Sequence, residues 1–184
     1  NFTVGLTGST IMDIRRRAKY IVVDLQKDVL QTLILHLRMT GALYVLAPGA
    51  ELPRYARNMV IFQDGSQLCF VDPRKFGTMW LVENEMNVLG GLGPEPLNPE
   101  FTPQILSSSL ASLGAPIKAV LCDQRLIAGI GNLYADEILY DSCIHPLERG
   151  RDLPLDRVDD LHGSIVSKLT MATERLASLY PMVW

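Results

Sequence analysis

The sequence predicts a two-domain α and β protein, an antiparallel β-sandwich or barrel over residues 1–92 followed by an all-helical domain over residues 93–184. Three observations carry this. Residues before position 90 form short apolar and β-branched runs broken by turn signals, as in antiparallel sheets. Gly90-Gly91-Leu92-Gly93-Pro94-Glu95-Pro96-Leu97-Asn98-Pro99 then breaks every period and reads as a linker. Beyond it, apolar residues recur at spacings of three and four.

The elements follow in order. Residues 21–25 and 30–37 are apolar runs joined by polar Gln26-Lys27-Asp28, which suggests a hairpin. Residues 60–62 and 68–71 repeat the plan around Gln63-Asp64-Gly65-Ser66, with Asp-Gly as a strong turn signal. Residues 78–82 supply a further strand. Pro116 is placed to start a short helix through Leu121, and Asn132 to start another through about Leu139. Val158, Leu161, Ile165, Leu169, Ala172, Leu176 and Leu179 mark one face of a long helix.

Between the two short helices lies Gly129-Ile130-Gly131-Asn132. The glycines can take positive φ and turn the chain sharply. Asn132 is a favoured N-cap, expected to hold a backbone N–H with its side chain. The first turn of a helix also carries free N–H groups and partial positive charge, which suit a phosphate. Read alone, the corner is a helix–turn–helix packing device.

Composition excludes several classes. Hydrophobic residues at 48% and charged residues at 20% are ordinary for a globular protein, and no apolar run approaches a membrane span. The opening NFTVGLTGST shows no signal-peptide pattern. Cys69, Cys122 and Cys143 are far apart, without metal-ligand spacing, and are expected to be buried thiols of a reducing compartment. The net charge of −3 hides an asymmetry: residues 1–92 carry ten basic and eight acidic side chains, residues 93–184 seven and twelve. The positives cluster at Arg15-Arg16-Arg17 with Lys19, at Arg54 and Arg57, and at Arg74-Lys75. Such clusters, rather than the net value, decide whether a surface meets a polyanion.

The phrases RRRAKY, LILHLRMTGAL, DPRKFG, LGPEPL and IKAVLCDQRLIAGIGNLYADEIL…IHP, in this order across both halves, resemble the formamidopyrimidine-DNA glycosylase family, whose sister branch is endonuclease VIII. The resemblance implies a β-sandwich followed by a helix–two-turn–helix domain that grip damaged double-stranded DNA. It implies base excision of oxidised purines (8-oxoguanine and formamidopyrimidines) with AP lyase activity, in a monomer of the bacterial cytoplasm, associated with the nucleoid. Residue by residue, it places Lys19 at the lesion phosphate and as proton donor in β-elimination. His36 and Asn132 become phosphate contacts, and Lys118 lies close to the flipped nucleotide. Met39, Arg74 and Phe76 fill the void left by the extruded base. An apolar wedge and a flat cation suit that task, since one props the base step open and the other pairs with the orphaned partner. Read without the family, Lys19 is a surface lysine and His36 a hydrogen-bonded core residue. Met39 and Phe76 are then core residues, Arg74 a turn arginine and Lys118 a solvated helix-edge lysine.

The chain also departs from the family pattern. Tyr55 stands where the family has a histidine, and tyrosine offers a phosphate one hydrogen bond but no charge. The family nucleophile is an N-terminal proline followed by glutamate, whereas this chain opens Asn1-Phe2-Thr3, expected to be strand-like. The family's zinc finger, its one metal site, has no counterpart after Ala172, so no cofactor is expected in this chain and the sandwich is expected to be incomplete. Two further readings stand beside the first: an inactive paralogue or fragment that binds damaged DNA, and an endonuclease VIII-type glycosylase of oxidised pyrimidines. The Arg-x-Phe of DPRKFG favours the formamidopyrimidine branch.

Overall fold

A computed structural model of the chain describes residues 2–111 and 114–179. The chain divides into two compact units, Asn1–Gly90 and Gly91–Trp184.

In the first unit a short helix α1 (Phe2–Leu6) leads into strands β1 (Thr10–Arg17), β2 (Tyr20–Gln26) and β3 (Leu30–His36). Then come β4 (Ala42–Leu46), β5 (Ala56–Ile61), β6 (Gln67–Val71), β7 (Thr78–Val82) and a single helical turn, α2 (Met86–Leu89). One sheet has the order β1-β2-β3-β7 and the other β4-β6-β5, with every pairing antiparallel. Because opposite residues share a face, Val23, Leu33 and Leu81 form one inward row and Ile21, Leu35 and Met79 the next. Leu43 of β4 closes on this face, and so do Phe2 and Leu6 of α1. The result is the sandwich the sequence predicts.

The opening residues are helical rather than strand-like. Phe2 and Leu6, one turn apart, both pack on the sheet core. A Cβ on Gly5 would stand 2.4 Å from Leu81 Cδ2, so glycine lets the helix lie close. The amine of Asn1 lies outside the described residues. Strand β1 escapes the sequence reading because it is an edge strand, exposed along most of its length and without buried alternation. Its two-residue turn to β2, Ala18-Lys19, also lacks the usual turn residues, and Ala18 takes φ 51° without glycine or asparagine chemistry.

The second unit contains α3 (Pro103–Ala111), α4 (Ile117–Cys122), α5 (Asn132–Asp141) and a 3-10 turn at Gly150–Asp152. The 25-residue helix α6 (Leu155–Leu179) follows. Leu106, Leu110, Ile117, Leu121, Ile127, Ile130, Ile138, Leu161 and Ile165 are fully buried and make one core. The apolar stripe of α6 serves that core from Val158 through Leu169. Beyond it the stripe departs from expectation: Ala172 is only half-buried and Leu176 is 54% exposed. The thiols depart too. Cys69 is buried, Cys122 half-buried, and Cys143 exposed at φ 51°, where the chain leaves α5.

Candidate nucleic-acid interface

Lys19 occupies the tip of the β1–β2 hairpin, exposed, beside Tyr20. Tyr20 pairs with His36 across the sheet, their rings meeting edge to face at 4.7 Å, with Trp80 next to Tyr20 at 6.1 Å. His36 ends β3 on the face opposite Leu33 and Leu35 and is half-buried. Its Nδ1 accepts the N–H of Arg38 at 3.0 Å, so a neutral ring carries its proton on Nε2. Burial, then the charges of Arg38 and Lys19, hold its pKa below the ordinary histidine value. Two predicted phosphate contacts thus share one end of one sheet. The basic run beside them is partly committed elsewhere: Arg15 is ion-paired with Asp24 at 3.1 Å and with Glu85.

Met39, Arg74 and Phe76 come from two loops and meet. Arg74 Nη1 lies 3.3 Å from Met39 Sδ, and its guanidinium carbon sits 4.8 Å from the centre of the Phe76 ring. Met39 is 74% exposed and Phe76 52%. Neither is a core residue, and an exposed cluster of large apolar side chains around a cation is a contact surface.

The backbone beneath is strained. Among the described residues, five non-glycine positions have positive φ in the left-handed region. Four adjoin or belong to the candidate set: Ala18 before Lys19, Arg38 before Met39, Tyr55 itself, and Lys75 between Arg74 and Phe76. Each costs roughly 1–3 kcal/mol, and such outliers gather at functional sites.

One buried carboxylate supports this cluster. Asp72, 1% exposed, accepts hydrogen bonds from Thr40 Oγ1 at 2.6 Å, the Gly77 N–H at 2.7 Å and the Arg74 N–H at 3.2 Å. These donors hold its pKa below the usual carboxylate value. Tyr55 joins the same neighbourhood, its carbonyl accepting the Asp72 N–H at 3.1 Å. Arg54 lies 4.6 Å from the Tyr55 ring centre and Arg57 5.7 Å. Arg57 is itself anchored by donating to the carbonyls of Asp72 and Pro73. The charge that tyrosine lacks is therefore supplied beside its ring.

In the second unit, Lys118 on α4 is ion-paired with Asp136 on α5 at 2.7 Å. Asp136 lies one turn beyond Asn132, so Lys118 reaches the side of α5 that carries Asn132. The N-cap expectation fails. Gly131 occupies the cap in extended conformation without a side-chain cap bond, and Asn132 is the first helical residue, exposed. The corner is held instead by Gln124. Its Nε2 donates to the carbonyls of Cys122 and Ile130 at 2.9 and 2.8 Å, and its Oε1 accepts the Gly129 N–H at 2.9 Å. Gly129 has φ 105°, a conformation that requires glycine, and Ile130 is fully buried. The side chain of Asn132 is thereby released from structural work at the helix mouth.

Sequence reasoning missed Asp72, Thr40, Gln124 and Asp136. All four act through other residues, and burial or pairing is their only signal. Among the described residues no group of three His, Cys, Asp or Glu side chains is placed to hold a metal ion.

An antiparallel β-sandwich followed by a helical unit is the architecture of the helix–two-turn–helix DNA glycosylases. The chain belongs to the formamidopyrimidine-DNA glycosylase family: residues 1–79 match its N-terminal domain and residues 92–180 its H2TH domain. The formamidopyrimidine-DNA glycosylase of Symbiobacterium thermophilum is 42% identical over 185 residues, covering 98% of this chain and 60% of that protein. That of Chloroflexus aggregans is 42% identical over 166 residues, covering 89% and 60%. Among solved structures, Lactococcus lactis Fpg in complex with DNA containing an abasic site aligns with TM-score 0.83 and 34% identity, over 92% of this chain and 63% of that one. The same organism's enzyme with DNA containing Fapy-dG gives 0.86 and 33%, over 94% and 66%. The chain spans about 60% of the length of the curated relatives it matches.

Proposed function

We propose that this chain carries the DNA grip and base-extrusion parts of a base-excision glycosylase with AP lyase activity on oxidised purines. The observation that carries the reading is the exposed Arg74 held between the Met39 sulfur and the Phe76 ring. Taking a base out of a duplex leaves a gap and an unpaired partner. Met39 and Phe76 enter the gap as wedges, and the Arg74 guanidinium donates to the orphaned base. Lys19, His36, Tyr55, Lys118 and Asn132 hold phosphates around the lesion, and the Lys19 ammonium serves β-elimination as proton donor. The partner is damaged double-stranded DNA, bound by a monomer in the bacterial cytoplasm. The Arg-x-Phe filler supports oxidised purines over the oxidised pyrimidines of the sister branch.

The test is binding of the 184-residue chain to a duplex containing a tetrahydrofuran abasic analogue, titrated against salt. Each phosphate contact by a cation contributes about 0.9 to the log–log slope. Arg74→Ala is expected to weaken lesion binding while leaving the slope nearly unchanged. A slope of zero, or equal affinity for intact and abasic duplex, overturns the proposal.

A further inference from the structure

Resting on the void-filling reading, we infer that Asp72 is a positioning residue that locks Met39, Arg74 and Phe76 into one tool, with Thr40 as the link between the two loops. The geometry is specific. Asp72 closes the loop that carries Arg74 and Phe76 by accepting the N–H groups of Arg74 and Gly77 at 3.2 and 2.7 Å. The same carboxylate takes the hydroxyl of Thr40, which follows Met39 directly, at 2.6 Å. Both loops are therefore fastened to one buried charge.

Two glycines make this approach attainable. A Cβ on Gly77 would stand 2.2 Å from Phe70 Cζ, and one on Gly41 would stand 2.4 Å from the Leu37 carbonyl oxygen. The Met39 turn itself is closed by the Gly41 N–H on that carbonyl at 2.9 Å. Arg57 donates to the Asp72 backbone carbonyl rather than to its carboxylate. A carboxylate with these donors cannot shift without releasing three bonds. Ordering the wedge and the pairing cation before DNA arrives removes an entropic cost from binding.

The experiment compares Thr40→Val, which removes the hydroxyl at nearly constant shape, with Thr40→Ser, which keeps it. In the free chain, carbon-13 methyl-labelled methionine reports the Met39 contact with the Arg74 guanidinium. In complex, affinity is measured for tetrahydrofuran duplexes with each of the four opposing bases. Thr40→Val is expected to lose the Met39–Arg74 contact and to reduce discrimination among opposing bases about fivefold, within the range for coupled residues in contact. Its salt slope is expected to stay as in the wild type, its melting temperature to fall by only a few degrees for the lost bond to the carboxylate, and Thr40→Ser is expected to behave as wild type. Asp72→Asn, which puts an amide donor against a backbone N–H, is expected to show the larger loss. The inference is overturned if Thr40→Val keeps both the contact and the discrimination, or if Thr40→Ser fails as Thr40→Val does. Failure of the wild-type chain to bind DNA would count against the proposed function, and the methyl contact would still decide the role of Asp72.

Discussion

Lys118 Nζ stands 2.7 and 3.0 Å from the two carboxylate oxygens of Asp136, one turn along α5 from Asn132. A phosphate arriving at the mouth of α5 must compete with that carboxylate for the lysine. Partly exposed pairs of this kind are worth about 0.2–1 kcal/mol. Asp136→Asn is therefore expected to tighten abasic-duplex binding, by up to about fivefold, without measurable loss of stability. Fluorescence anisotropy checks this, and unchanged or weaker binding would mean that Lys118 never exchanges Asp136 for phosphate.

The position of Asn132 separates two roles that its sequence context merges. With Gly131 in the cap, the Asn132 side chain is not the cap of α5. Alanine at this first helical position is expected to leave stability within about 0.5 kcal/mol of wild type, because its helix propensity is slightly better. DNA affinity is expected to fall. A stability loss of about 1 kcal/mol or more, the usual cost of a lost cap, would restore the capping role.

What the sequence made legible was whatever has a period or a contiguous phrase. β2, β3, β6 and β7 alternate or run apolar between turn signals, and Leu161 and Ile165 repeat at helical spacing. β1 was not legible, because an edge strand exposed on both faces writes no alternation. α1 was not, because only two of its residues face the core and β-branched Thr3 and Val4 argue against helix. The candidate site divides the same way. Met39, Arg74 and Phe76 came from motif resemblance, and the structure explains why they are exposed together. Asp72 and Gln124 lay inside quoted motifs without a role of their own, since their importance rests on bonds closed across 2–32 positions of chain.

Gln124 is the second device that positions by satisfying backbone groups. One amide fills three bonding positions at the corner. At about 1 kcal/mol for each net hydrogen bond, Gln124→Ala is expected to cost about 2–3 kcal/mol in denaturant unfolding. It is also expected to weaken abasic-duplex binding beyond the loss in Asn132→Ala, since the first turn of α5 loses its register with the corner. The double variant should then add little to Gln124→Ala alone. Full additivity in DNA binding would show that Gln124 stabilises the fold without positioning Asn132.

His36 sets a pH dependence whose sign differs between folding and binding. Burial and the charges of Arg38 and Lys19 depress its pKa in the folded chain below that of the unfolded chain, about 6.5. Between those two values the unfolded chain holds more protons, so stability rises with pH across the window. The contribution is complete above about pH 6.5 and is lost as pH falls through the depressed value. A phosphate beside the ring acts oppositely, because its negative charge favours the imidazolium form. Binding is then accompanied by proton uptake, and affinity for abasic duplex rises as the pH is lowered towards the window. His36→Gln keeps a hydrogen-bond donor but cannot titrate, so it is expected to flatten both profiles. Melting curves and anisotropy titrations at stepped pH measure the two together. If His36→Gln retains the wild-type pH dependence of binding, the proton belongs to another group, and His36 does not meet the phosphate.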